Sequence, residues 1–176
     1  MRLNEKGYTL LELLVAITIM VLASGAASAA IFQIFRGTER NNDSMTAVNQ
    51  VHKAGYWISR DAQMALGFTT DNLTLPDFLI VRWTTWDAAG DPIYHSVRYF
   101  FEDVTNGIGK LKRHHWSSAG ANEQTLIAEY IYYDPSDIAH TSKASYQSPV
   151  LTIQLTALVE GTLEAREYKI EHRPNL

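Results

Sequence analysis

The sequence predicts an α+β fold, in which a long N-terminal helix, transmembrane in its first half, packs on a C-terminal antiparallel β-sheet domain. Three observations carry this. Residues 13–35 form a run of 23 residues without a charge, between Arg2 and Lys6 before it and Arg36 after it. Apolar residues then recur at helical spacing from Val48 to Ala65. From Phe78 onward, β-branched and aromatic runs alternate with turn residues. A chain of 176 residues accommodates one domain and a modest appendage, which excludes a large multidomain enzyme.

The uncharged run comes first. About 20 residues at about 1.5 Å rise cover the roughly 30 Å hydrocarbon layer of a bilayer, and this run exceeds that minimum. It is interrupted only by Thr18, Ser24, Gly25, Ser28 and Gln33, and it lacks the polar face of an ordinary core helix. The polar stretch Arg36 to Asp43 that follows is suited to water. Val48, Val51, Gly55, Ile58, Ala62 and Ala65 then step by three and four, drawing one apolar stripe, while Asn49, Lys53, Arg60 and Gln63 fall on other faces. Small residues in the stripe suit close approach to a sheet. If the two segments are continuous, one helix runs from about Thr9 to Leu66.

After Gly67 the helical signal stops. Strands are expected at Phe78 to Trp86, Ile93 to Glu102, Lys110 to Trp116, Thr125 to Tyr133, Val150 to Val159 and Leu163 to His172. Turn and loop composition separates them at 88–92, 105–107, 117–122, 134–148 and 160–161. The short spacings favour antiparallel hairpins. Leu151, Ile153 and Leu155 alternate with Thr152, Gln154 and Thr156, as in a strand with one buried and one wet face.

Composition narrows the function. Lys+Arg 15 against Asp+Glu 19 gives a net charge of -4, and removing residues 1–7, with Arg2, Lys6 and Glu5, takes this to -5. Such a balance argues against nucleic acid as a partner, because phosphate neutralisation needs clustered cations. The absence of cysteine removes disulfides, thiolate metal sites and cysteine nucleophiles. Adjacent His114 and His115 on a strand face opposite ways and make a poor metal pair. Asp71, Asp134 and Asp137 read as turn residues rather than calcium ligands. No Gly-x-Ser-x-Gly turn or phosphate-binding glycine loop occurs, so catalytic residues, cofactor and metal are all expected to be none. Arg60 and Asp61 read as a solvated helix face. Trp83, Trp86, Trp116, Tyr130, Tyr132 and Tyr133 read as core or cross-strand pairs.

The strongest local signal is Lys6-Gly7-Tyr8-Thr9-Leu10-Leu11-Glu12-Leu13-Leu14-Val15-Ala16, where a short cationic leader meets the apolar run. A carboxylate there costs on the order of 2.5 kcal/mol to insert in lipid, so it requires a partner. This segment resembles the leaders of type IV prepilins and of type II secretion pseudopilins. The resemblance implies a pilin-like fold, cleavage by prepilin peptidase between Gly7 and Tyr8, and methylation of the new Tyr8 amine. It also implies assembly through Leu10, Leu11, Glu12, Leu13, Leu14 and Val15. The freed amine of a neighbouring subunit would be largely cationic near neutral pH and would face Glu12.

On this reading, residues 1–7 are a cleaved leader, 8–35 a transmembrane and assembly helix, and 36–176 an extracytoplasmic domain with a helix at about 44–66 and strands at about 78–172. The protein would sit in the cytoplasmic membrane and then in a filament. Its partners would be other pilin or pseudopilin subunits, the prepilin peptidase, an inner-membrane assembly platform and the lipid bilayer. Ile58-Ser59-Arg60-Asp61-Ala62-Gln63, Val97-Arg98-Tyr99, Gly109-Lys110-Leu111-Lys112-Arg113 and the last strand, Arg166 to Arg173, are similar to segments of J-type minor pseudopilins and W-type minor pilins. They imply a minor subunit at or near a filament tip. Two other readings stand beside this one. One is a membrane-anchored module that binds a substrate, DNA or a surface. The other is a soluble exported protein cut after Ala29, at the small-x-small site Ala27-Ser28-Ala29.

Overall fold

A computed structural model describes residues 9–171 apart from 72 and 74. One helix, α1 (Leu10–Met64), precedes eight strands: β1 (Gly67–Thr69), β2 (Asp77–Trp86), β3 (Pro92–Thr105), β4 (Ile108–Ser117), β5 (Asn122–Tyr132), β6 (Lys143–Gln147), β7 (Val150–Val159) and β8 (Thr162–Glu171). The chain divides after Asn42 into two units.

The first unit holds the apolar part of α1, whose side chains are exposed throughout. It contains a window of mean hydropathy 2.2, none of it buried, long and apolar enough to cross a bilayer. Two of the three hydroxyls that interrupt it, those of Thr18 and Ser28, are satisfied within the helix. Thr18 Oγ1 donates to the Leu14 carbonyl at 2.8 Å and Ser28 Oγ to the Ser24 carbonyl at 2.9 Å. This back-bonding lets a polar side chain stand where water is absent.

The second unit packs the rest of α1 on an antiparallel sheet. Of the expected stripe, Val51, Gly55, Ile58, Ala62 and Ala65 are buried and Val48 is half-buried; Ala47, Ala54 and Asp61 join them on the core face, and Asn49, Lys53, Arg60 and Gln63 are exposed. Sheet order is β1-β2-β3-β4-β5-β7-β6, with β8 along β7. Leu79, Val81, Val97, Tyr99, Leu111, Ile127, Ile131, Leu151, Ile153 and Leu155 supply the sheet side of the core. The β3–β4 turn uses Asn106 and Gly107 at φ 52° and 77°, and the β7–β8 turn Glu160 and Gly161 at 45° and 82°. Two successive left-handed residues give the tight hairpin that matches strand twist, and glycine takes the second place without a Cβ penalty.

Three expectations change. A strand, β6, lies inside the expected 134–148 loop. Lys143-Ala144-Ser145-Tyr146-Gln147 has too few apolar residues to register as a strand, but pairing with β7 places half-buried Ala144 and Tyr146 against the core. A short edge strand, β1, also forms. On β7, Thr156 is not wet: it is fully buried, its N–H donating to Ser142 Oγ, with the Thr156 hydroxyl left without a partner among the described residues.

Candidate functional site

Gly7 and Tyr8, the expected processing residues, lie outside the described residues. Leu10, Leu11, Glu12, Leu13, Leu14 and Val15 form the first turns of α1, all exposed. Thr9 is the N-cap. Its N–H and its Oγ1 both donate to Glu12 Oε2, at 2.9 and 3.0 Å, and its Oγ1 accepts from the Glu12 N–H at 3.3 Å. This is a reciprocal capping box of the pattern Thr-x-x-Glu. Glu12 therefore has a hydrogen-bonding partner on its own chain, although no counterion among the described residues. The signal was present in the Thr9–Glu12 spacing. Glu12 Oε1 makes no hydrogen bond among the described residues, and the next positions on its face are apolar Val15 and Ala16.

The body contains a second organised cluster, one that sequence reasoning misplaced. Asp61 is not on a solvated face: its exposure is 0%. Arg113 Nε donates to Asp61 Oδ2 at 2.6 Å and a second guanidinium nitrogen to Oδ1 at 3.1 Å, a bidentate pair. Tyr99 donates its hydroxyl to Oδ2 at 2.6 Å. Burial, and then the adjacent Asp61 carboxylate, hold the Tyr99 phenol well above its usual pKa. The Arg60 guanidinium lies 3.9 Å from the Trp57 ring centroid, and that of Arg113 lies 5.3 Å away. Helix periodicity places Asp61 beside Ala62 and Ile58 on the core side, and only the cross-strand arrival of Tyr99 and Arg113 makes a carboxylate tolerable there.

The histidines separate as expected. His114 bonds Asn122 and His115 turns to the other face. There, His95 Nδ1 and His115 Nε2 are 3.2 Å apart, with ring planes 14° apart. Both rings stack on Trp83, whose own plane is within 6° and 12° of theirs. Asp134 and Asp137 are occupied in their turn, by Ser136 and by His140. Among the described residues no group of three or more His, Asp or Glu is placed to hold a metal ion. The aromatic residues, expected in the core or in cross-strand pairs, split: Trp83 is buried, whereas Trp86, Trp116 and Tyr130 are exposed and outside the core.

No curated protein and no solved structure gives a significant match to the chain. Residues 2–28 match the family model of the prokaryotic N-terminal methylation motif, so the chain opens with a type IV prepilin-like signal, joined here to a helix able to cross a membrane and to an α+β body of pilin-like layout.

Proposed function

We propose that the protein is a minor pilin or pseudopilin, anchored in the cytoplasmic membrane and assembled through α1 into a type IV pilus or a type II secretion pseudopilus, at or near its tip. Its work is mechanical, not catalytic. Prepilin peptidase cuts between Gly7 and Tyr8, methylates the Tyr8 amine and leaves the body outside the cytoplasm. The apolar first half of α1 then passes from lipid, through the inner-membrane assembly platform, to the helices of neighbouring subunits.

The observation that carries this reading is the methylation motif running directly into an unburied apolar helix with one carboxylate near its start. Thr9 occupies Glu12 Oε2 and leaves Oε1 for a cation, so capping within the subunit and pairing with a neighbour's amine are compatible. The segments similar to J-type and W-type subunits suggest a minor rather than a major subunit. Asp61, Tyr99 and Arg113 come from three separate similar segments and meet at one buried point.

N-terminal analysis of the protein from cells with an active leader peptidase tests the reading. The expected product starts at methylated Tyr8. A product retaining residues 1–7, or one starting at Ala30, would rule it out. In the same cells, Glu12→Ala should still be cut after Gly7 but enter filaments poorly, and normal incorporation would exclude the pairing.

A further inference from the structure

The face of the sheet turned away from the core carries a trough. Gly67, Arg82, Ser96 and Trp116 are register partners in one row across β1, β2, β3 and β4. Register partners in an antiparallel sheet project to the same side. Arg82 alternates with buried Val81 and Trp83, so this row faces away from the core. Arg82 and Trp116 are two strand spacings apart, about 10 Å, and the short Ser96 side chain between them makes a floor. Thr84 and Tyr94 pair in the adjoining row and extend the trough lengthwise. The hollow has a volume of about 390 Å³, at the small end of the range for small-molecule clefts.

Its chemistry is specific. Trp116 is 47% and Tyr94 57% exposed, a cost in apolar surface at neighbouring positions of one sheet face. Arg82 is exposed and donates to Thr69 Oγ1 at 3.0 Å, but it has no carboxylate partner among the described residues. By contrast Arg98, on the same face, is paired with Asp77. Aromatic walls, a hydroxyl floor and one uncompensated guanidinium are therefore set together in a shallow, open site.

We propose that this trough binds a single carboxylated sugar residue of a glycan. The C–H face of a pyranose ring carries partial positive charge and stacks on the electron-rich face of Trp116, with Tyr94 bounding the trough beside it. Ring hydroxyls meet Ser96 and Thr84, and the carboxylate takes the free guanidinium nitrogens of Arg82. A polynucleotide fits less well. It needs a row of cations along its backbone, and the trough offers one on a body of net negative charge. The proposal does not depend on whether the chain joins a filament.

The test uses the full chain in micelles of a sugar-free detergent, titrated with methyl glucuronide, methyl glucoside and a short oligothymidylate, and followed by indole N–H resonances and tryptophan fluorescence. The glucuronide is expected to give saturable shifts at the Trp116 indole, about ten-fold tighter than the glucoside, the factor that one charge-assisted hydrogen bond supplies. Trp116→Ala should abolish binding of both sugars. Arg82→Gln should bring the glucuronide to the glucoside's affinity while leaving the glucoside unchanged. Both variants alter exposed side chains, and unchanged circular dichroism verifies their folding. The proposal is overturned if the glucuronide fails to saturate or matches the glucoside, if binding survives in Trp116→Ala, or if the oligothymidylate binds more tightly than the glucuronide.

Discussion

Asp61 shows how one side chain decides what a helix face can do. An isolated carboxylate at full burial would be untenable, and its bidentate pair with Arg113 and the Tyr99 hydroxyl satisfy it together. Removing one partner strands the others. Asp61→Ala should therefore destabilise the body by about 3–5 kcal/mol, read as a shift in denaturation midpoint of the full chain in detergent. Replacing Asp61 and Arg113 together by apolar residues should recover much of that loss; no recovery would mean that the pair is not the source. His115 supplies a pH response. Burial foremost, then Arg113 and His95, lower its pKa below the ordinary 6.5, while Asp61 and Glu123 oppose this. The unfolded imidazole takes up its proton at a pH where the folded one does not, so stability is complete at neutral pH and falls as the pH drops through about 6.5. Denaturation midpoints compared between about pH 7.5 and 5.5 should fall less in His115→Gln than in the parent. Equal falls would assign the acid sensitivity elsewhere. Asp61 was visible in the sequence as a charge on a helix, but its burial was not, because Tyr99 and Arg113 stand 38 and 52 residues away.

Between elements, α1 meets β8 closely at Gly55. Tyr168 lays its ring over Gly55 and donates its hydroxyl to the Val51 carbonyl at 3.2 Å. A Cβ on Gly55 would lie well inside contact distance of the Tyr168 ring, nearest to Cζ and 2.6 Å from Cε1. Gly55→Ala should thus cost about 1–3 kcal/mol through overpacking, despite alanine's better helix propensity. Gly55→Ala combined with Tyr168→Ala should cost less than the two single changes summed. Strict additivity in a double-mutant cycle would disprove the contact. The sequence marked Gly55 as a small residue in the stripe and left open what approaches it. Strands with clear alternation, β7 above all, were legible from residue types alone. β6 was not, since its polar side chains resemble a loop until β7 supplies hydrogen-bonding partners.

On the scale of the whole chain, two units divide the physics. Every buried apolar residue lies between Ala47 and Ile170 among those described, so the second unit carries its own core. The first unit leaves Leu10 to Phe35 without protein cover. A chain beginning at Asp43 should stay soluble without detergent and unfold in one cooperative transition, whereas the full chain should require a micelle. Aggregation of the shortened chain in sedimentation would show that the core needs the apolar segment. What the sequence determined alone was local or periodic: the leader-like motif, the length of the uncharged run, the helical stripe and most strands. Each depends on spacing along the chain. Tertiary structure alone decided that two distant segments close on Asp61, that Tyr168 needs Gly55, and that Arg82, Ser96 and Trp116 line one trough. Such contacts depend on strand register and helix placement, which no single segment encodes.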